Sequence, residues 1–266
     1  MSIEKYLKGI AIAAPAARIA TKGGPRIVRK GGVRVRRKGI AEKEAQPPAL
    51  PAKLNAAVDA GSILSFVGAA DANEQKDILY SIQFAQRAAN KACDRFAETK
   101  AWYGKYNEVL EAVGWTTEQY AFTAHQQAEG NLRMDKAALQ VISAIAIGNQ
   151  HGAITTAISA LEKLAADDNA ITLFDHYASG DLSGNFQIGA VQKSNGTISM
   201  ASGAFYFRTI ARRKKFLFFG YGRNEVNFWT AAQKMTFNAA IYDKVRTLVE
   251  RKIGDSAMEE IIAFDV

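Results

Sequence analysis

Cysteine is all but missing. Cys93 stands alone, so no intrachain disulfide can form, a cysteine-rich zinc site is excluded, and cysteine usage says nothing about the redox compartment. Histidine is nearly as scarce: His125, His151 and His176 make no His-Glu-x-x-His pair and read as surface or hydrogen-bonded side chains. No Gly-x4-Gly-Lys-Ser/Thr loop occurs, Gly220-Tyr221-Gly222 lacks a third glycine and precedes a strand pattern, and there is no Gly-x-Ser-x-Gly elbow. Metal, nucleotide and serine-nucleophile chemistry lose their usual signatures, no cofactor or small-molecule substrate is expected, and the chain reads as a non-enzyme. A hydrolase built on two carboxylates around Asp167 to Asp181 stays open, because such pairs leave no local spacing.

Acids are also rare in the first 46 residues, which hold 12 of the 34 Lys/Arg but 3 of the 26 Asp/Glu, leaving 22 bases against 23 acids in the other 220. The formal charge of +8 therefore belongs to the N-terminal stretch, and polyanion binding is assigned there first, to Arg29, Lys30, Arg34, Arg36, Arg37 and Lys38. Glycines interleave these bases and large apolar residues are few, which predicts a disordered basic tail over 1–53, closed by the stiff junction Pro47, Pro48 and Pro51. A secretory apolar run is lacking, since Gly9 to Ala14 is short and followed by Pro15 and Arg18. An Arg-rich transit peptide fits better, although Ser2 is the only serine before position 47. The tail then reads as an anionic-lipid attractor, a nucleic-acid binder, or an export or packaging address.

What is present, from about Leu54 onward, predicts a single α+β domain: a helical part over about 54–180 and a β-rich part over about 181–266. Asp71 and Asn73 are candidate N-caps of a long helix running to Val113 and stopped by Gly114. Its seam of Ile78, Ile82, Ala85, Ala89, Ala92, Phe96, Thr99, Tyr103, Tyr106, Leu110 and Val113 alternates spacings of four and three, a heptad pattern. Cys93 lies beside that seam and reads as a small buried thiol.

Residues 137–161 contain no Asp, Glu, Lys or Arg, but Gly148 to Gly152 interrupts them with polar groups that a membrane centre would not tolerate. They predict a helical hairpin, 135–147 and 153–167, with Asp167-Asp168 ending the second arm. From Asn185 the period becomes two. Segments 185–193 and 197–209 flank Asn195-Gly196, a tight-turn signal, and 216–221 and 225–237 are further strand candidates of an antiparallel meander. A C-terminal helix over 239–253, ended by Gly254, completes the prediction.

Two features carry the functional expectation. The aromatic stretch and its basic loop supply a membrane- or partner-binding set, Tyr206, Arg212, Arg213, Lys214, Lys215, Phe219 and Trp229. The uncharged hairpin supplies a candidate inserting element, Ile142, Ile145, Ile154 and Ile158, whose arms could associate through small residues. Ordinary core packing is the favoured reading of each feature taken alone. In arrangement only, a long helix, a short uncharged hairpin and an aromatic β region resemble some bacterial α-helical pore-forming toxins. That resemblance implies an exported or delivered membrane-active effector, acting on lipid and as a homo-oligomer. The other reading is a self-assembling structural protein that uses the heptad helix and the aromatic sheet as subunit interfaces.

Overall fold

The computed structural model describes residues 2–14, 55–68, 70–117, 121–125, 131–146, 150–222, 224–254, 257 and 260–264. The tail residues Arg29 to Lys38 lie outside these, as does the proline junction. In chain order the elements are α1 (Ile3–Gly9), β1 (Ala56–Asp59), β2 (Ser62–Gly68), α2 (Ala72–Ala92), α3 (Thr99–Ala112), β3 (Trp115–Thr116), β4 (Thr123–Ala124), β5 (Asn131–Arg133), α4 (Met134–Ile145), α5 (Gln150–Ala166) and α6 (Asp168–Ala178). They continue with β6 (Ser183–Ser194), β7 (Thr197–Thr209), a 3-10 turn (Phe216–Phe218), β8 (Gly220–Gly222), β9 (Val226–Phe237), α7 (Ala239–Asp243), α8 (Arg246–Ile253) and β10 (Ile261–Phe264).

The α+β class holds, but the arrangement differs from a helical bundle followed by a meander. One mixed sheet in the order β10-β1-β2-β6-β7-β9-β3, with β4 also on β9, is sandwiched between two helical layers. Period-two alternation sends Ile198, Met200 and Ala204 of β7 to the layer of α2, α3 and α8, and Ala201, Phe205 and Phe207 to the layer of α4, α5 and α6. Two cores therefore lie back to back across the sheet. The β6–β7 turn is as expected: Asn195 and Gly196 both have positive φ, 49° and 76°, and the register runs unbroken from Ser183↔Arg208 to Ser194↔Thr197. No proline follows Pro51 in the sequence, so every backbone donor of these long strands is available to the ladder.

The mixed character comes from β1 and β2, which sequence reading did not find. Their four and seven residues are covered on both faces, so β1 is wholly apolar up to Asp59 and shows no alternation. β2 pairs parallel with β6, and that one parallel contact, spanning all the helices between them, joins the N-terminal and C-terminal halves.

The helix expected over 71–113 is two helices. Asp71 caps the first through a capping box with Glu74. Asp94 then accepts from the backbone N–H groups of Phe96 and Ala97, both at 2.8 Å, while Cys93 turns extended. An Asx-type turn has replaced helical bonds. The heptad survives the break because both arms lay the same seam on the sheet; Ile78, Ile82, Ala85, Ala89, Tyr103, Tyr106, Leu110 and Val113 are all buried, whereas Ala92 is exposed and Cys93 half-buried. A seam buried against its own sheet is not free to pair with another subunit.

Four smaller corrections follow the same logic. Segment 216–221 is no strand of the main sheet: Phe216–Phe218 is a 3-10 turn and Gly220–Gly222 pairs only with β5. The loop expected after Asp167 is α6, whose N-cap is Asp167 itself, accepting from Asn169 and Ala170. The last helix divides into α7 and α8, each short and packed separately. Part of the predicted tail is folded: α1 buries Leu7 completely, and Ala13 N–H donates to the Arg87 carbonyl at 3.0 Å.

Candidate functional site

The uncharged hairpin is realised as α4 and α5, laid side by side on one face of the sheet, α4 over β6, β7 and β9 and α5 over β1, β2 and β6. Ile142 and Ile154 point into the core, Ile145 is half-buried, and Ile158 is 41% exposed. Small sheet residues make the close approach possible. A Cβ on Gly203 would come within 2.8 Å of Ile142 Cγ2, so α4 sits where only glycine leaves room. Ala160, Leu161 and Leu164 of α5 share the same core with Ala190, Ala201 and Ile188 of the sheet. Among the described residues no helix is long and apolar enough to cross a membrane.

The sequence-predicted attachment residues gather at one end of the sheet but divide between its faces. Tyr206 and Trp229 are cross-strand partners with ring centroids 5.2 Å apart, half-buried on the α2–α3 face. Arg208 donates to the Tyr206 hydroxyl at 2.6 Å and lies over its ring. On the opposite face Phe219 stands edge-on to Tyr221, with the Arg213 guanidinium 4.7 Å above its ring. The loop that carries Arg212, Arg213, Lys214 and Lys215 folds back over α6, and together they line a cleft of about 490 Å³ with Asp168, Thr172, Asp175, His176 and Ser179.

The loop is pinned there by Lys215. Its φ of 53° is left-handed; its N–H donates to Asp175 Oδ2 at 2.7 Å, and its ammonium reaches Asp168 at 3.1 Å and the last turn of α5 at the Ala165 carbonyl. Burial pushes the Asp175 carboxyl up to about 6, against the opposing pull of the Lys215 N–H and the nearby Lys215 and Arg212 charges. Of the carboxylates between Asp167 and Asp181, Asp168 and Asp175 line this cleft and Asp181 lies by Arg212. Asp168 and Asp175 stand two turns apart on α6, and Lys215 engages both.

Two residues that sequence reading missed complete this end of the molecule. Leu182 and Ile210 are 50% and 69% exposed, and the Thr209 N–H donates to the Leu182 carbonyl at 2.8 Å, so the two loops carrying them are joined. Each is a lone apolar residue in a polar turn. Only the fold shows that Asp181-Leu182 and Ile210-Ala211 are neighbours.

Beneath α2, at the same end of the sheet, lies a buried polar cluster. Arg87 forms a doubly contacted ion pair with Glu260, at 3.0 and 2.9 Å, and also donates to the Ile253 carbonyl. Tyr177 donates to the other Glu260 oxygen at 2.6 Å. Asp59, fully buried, accepts from Gln83, and burial together with the Glu260 charge holds its carboxyl well above the usual range. Arg95 makes no ion-pair contact among the described residues; it donates to Asn185 and Gln86 and covers the Trp102 ring, and burial lowers it to about 10 against the pull of Tyr103, Tyr106 and Asp59. This cluster ties α2, α6, β1, β6 and the start of β10 into one knot.

No family model and no curated protein matches the chain. Among solved structures, it is distantly similar to a delta-endotoxin, with a TM-score of 0.43 and 12% identity over 80% of this chain and 97% of that one. It is similar at a TM-score of 0.39 and 10% identity to the activated Cyt2Ba monomer of Bacillus thuringiensis subsp. israelensis, over 67% of this chain and 97% of that one. The Evf virulence factor gives a TM-score of 0.36 and 14% identity, over 73% of this chain and 78% of that one.

Proposed function

We propose that this protein is a non-enzymatic, membrane-active effector of toxin type, which attaches to lipid by the loop end of its sheet and permeabilises the bilayer by releasing the α4–α5 hairpin into it. The observation that carries the reading is the nature of that hairpin: between Lys136 and Glu162 it runs for 25 residues without a charge, held on the sheet through apolar side chains and small-residue contacts. Leaving such a surface for hydrocarbon costs little, because the apolar area stays out of water. At about 1.5 Å per residue, α4 and α5 reach about 18 and 25 Å, short of a hydrocarbon core of about 30 Å. The hairpin therefore enters as a wedge, and several wedges associated through their Ala, Ser and Thr faces would line an opening.

A reversible tether tests this. A Cβ at position 152, at the start of α5, would lie 3.6 Å from Val67 Cγ1 of β2 without crowding, within disulfide reach. In a Cys93→Ser background, Gly152→Cys with Val67→Cys should give a chain that, when oxidised, binds vesicles but releases no dye, and regains release on reduction. Equal release by the oxidised and reduced chains would show that the hairpin stays where it is.

A further inference from the structure

We infer that the cleft between α6 and residues 212–215 receives the phosphate of an anionic phospholipid headgroup, with Ile210 and Leu182 seated beside it at the acyl-chain boundary. The inference rests on the membrane reading above and supplies what that reading lacks, a lipid class and a point of attachment.

Four consecutive bases line the cleft, and their charges are not equally committed. Lys215 is held by Asp168 at 3.1 Å, and Arg213 is shared between Glu225 at 3.7 Å and the Phe219 ring. These two build the wall. Among the described residues Arg212 makes one ion pair, with Asp181 at 4.0 Å between two largely exposed side chains, a contact that solvent screens to almost nothing. Lys214 is exposed and has no ion pair among the described residues. Two cations therefore stand at the mouth with their hydrogen-bonding capacity unspent, and Arg in particular offers a planar fork that matches phosphate oxygens. His176 adds an imidazole from the α6 side, the Thr172 and Ser179 hydroxyls being spent on the Asp168 and Asp175 carbonyls, and about 490 Å³ accommodates a glycerophosphoryl group with room to spare.

The apolar neighbours decide where that phosphate comes from. Ile210 and Leu182 are the two most exposed large apolar residues of the described chain, and they flank the basic loop at the tip of the sheet. A site for a soluble phosphate ester has no use for two side chains kept in water at a cost. A site at a bilayer does: bases at headgroup depth and aliphatic side chains just below are how a protein rests on an anionic surface. Tyr206 and Trp229, half-buried at the same end, have the amphipathic form found at that depth.

The test is flotation of the full chain with vesicles of phosphatidylcholine alone or with phosphatidylserine added, together with titration by soluble glycerophosphate. Arg212→Gln with Lys214→Gln alters exposed positions and should leave the melting temperature unchanged. It should weaken binding to the phosphatidylserine vesicles about thirty-fold, the loss expected for two bases near an anionic surface, and leave phosphatidylcholine binding as it was. Leu182→Ser with Ile210→Ser should weaken binding to both vesicle types. A parent chain that binds both vesicles equally, with the double glutamine variant indistinguishable from it, overturns the headgroup site while the membrane reading stands. A parent that ignores vesicles but binds glycerophosphate through Arg212 and Lys214 overturns the lipid assignment and the membrane reading with it.

Discussion

Ile158→Asp separates hairpin insertion from every other role of α5. The position is 41% exposed and lies between buried Ile154 and Leu161, on the margin of the apolar stripe. In water the substitution removes partial burial and some helix propensity, about 1 to 1.5 kcal/mol together, which a folded domain of this size tolerates. In lipid the same residue sits mid-helix, and exchanging Ile for Asp there costs about 3 kcal/mol. At about 1.4 kcal/mol per factor of ten, the dose needed for dye release should rise roughly 100-fold, and further if several hairpins enter together. Vesicle co-sedimentation should be unchanged, because the proposed attachment is by the loops of the sheet and not by α5. Ile158→Ala serves as the control that trims the side chain without adding a charge. A folded Ile158→Asp chain whose release curve superimposes on the parent's would refute the insertion of α5.

The remaining predictions concern the frame that holds the two layers. Asp59 is held above its ordinary value, so the folded chain keeps a proton there that the unfolded chain loses near pH 4. Stability from this group is fully present below that pH and is lost as pH rises through the folded value. Asp59→Asn should therefore match the parent near pH 4 and exceed it by a margin that widens with pH in thermal melts; a parent that gains on the variant with rising pH would contradict the assignment. Gly184→Ala should lower stability by about 1 to 3 kcal/mol, because the new methyl would lie 2.4 Å from the Ala178 carbonyl oxygen and 2.6 Å from the Phe207 ring. An unchanged melting temperature would mean that the α6-to-β6 connection yields freely.

The parts that were legible in the sequence are those whose signal is local. Asn195-Gly196 has two positive-φ positions and nothing else needs to be known to place the β6–β7 hairpin. The uncharged run with glycines at its centre marks α4 and α5 for a similar reason. What was not legible depends on partners far along the chain. Ala56–Asp59 is buried on one face by α5 and α6, about a hundred residues along the chain, and on the other by α2, and shows no period of its own. The 71–113 repeat was read as one helix because a heptad and a folded-back pair on a sheet produce the same spacing; only Asp94, which prefers its own turn to the helix, marked the break. In the candidate site, the basic quartet was plain, whereas Leu182, Ile210 and Asp175 acquired meaning only when α6 and two loops met.

The two helical layers are attached to the sheet by different forces, and this bears on which of them can leave. The α2–α3–α8 layer is fastened by groups that water or sheet must satisfy: Lys193 to Glu74 at 2.7 Å, Arg87 to Glu260, Arg95 to Asn185, and Trp115 to Ser81 at 2.9 Å. Within that layer Arg246 binds Asp77 and Lys76 binds Glu250. Moving it into hydrocarbon would strand these charges, at several kcal/mol for each. The core under α4 and α5 is built from Ile142, Ile154, Leu161 and Leu164 on Ala190, Ala201 and Phe205. Hydrocarbon replaces such contacts almost without loss, so the transfer free energy that holds this layer down in water ceases to hold it at a bilayer. On the proposed reading, the polar layer would keep the sheet folded while the apolar one departs, and the loops at the sheet end would determine where that departure takes place.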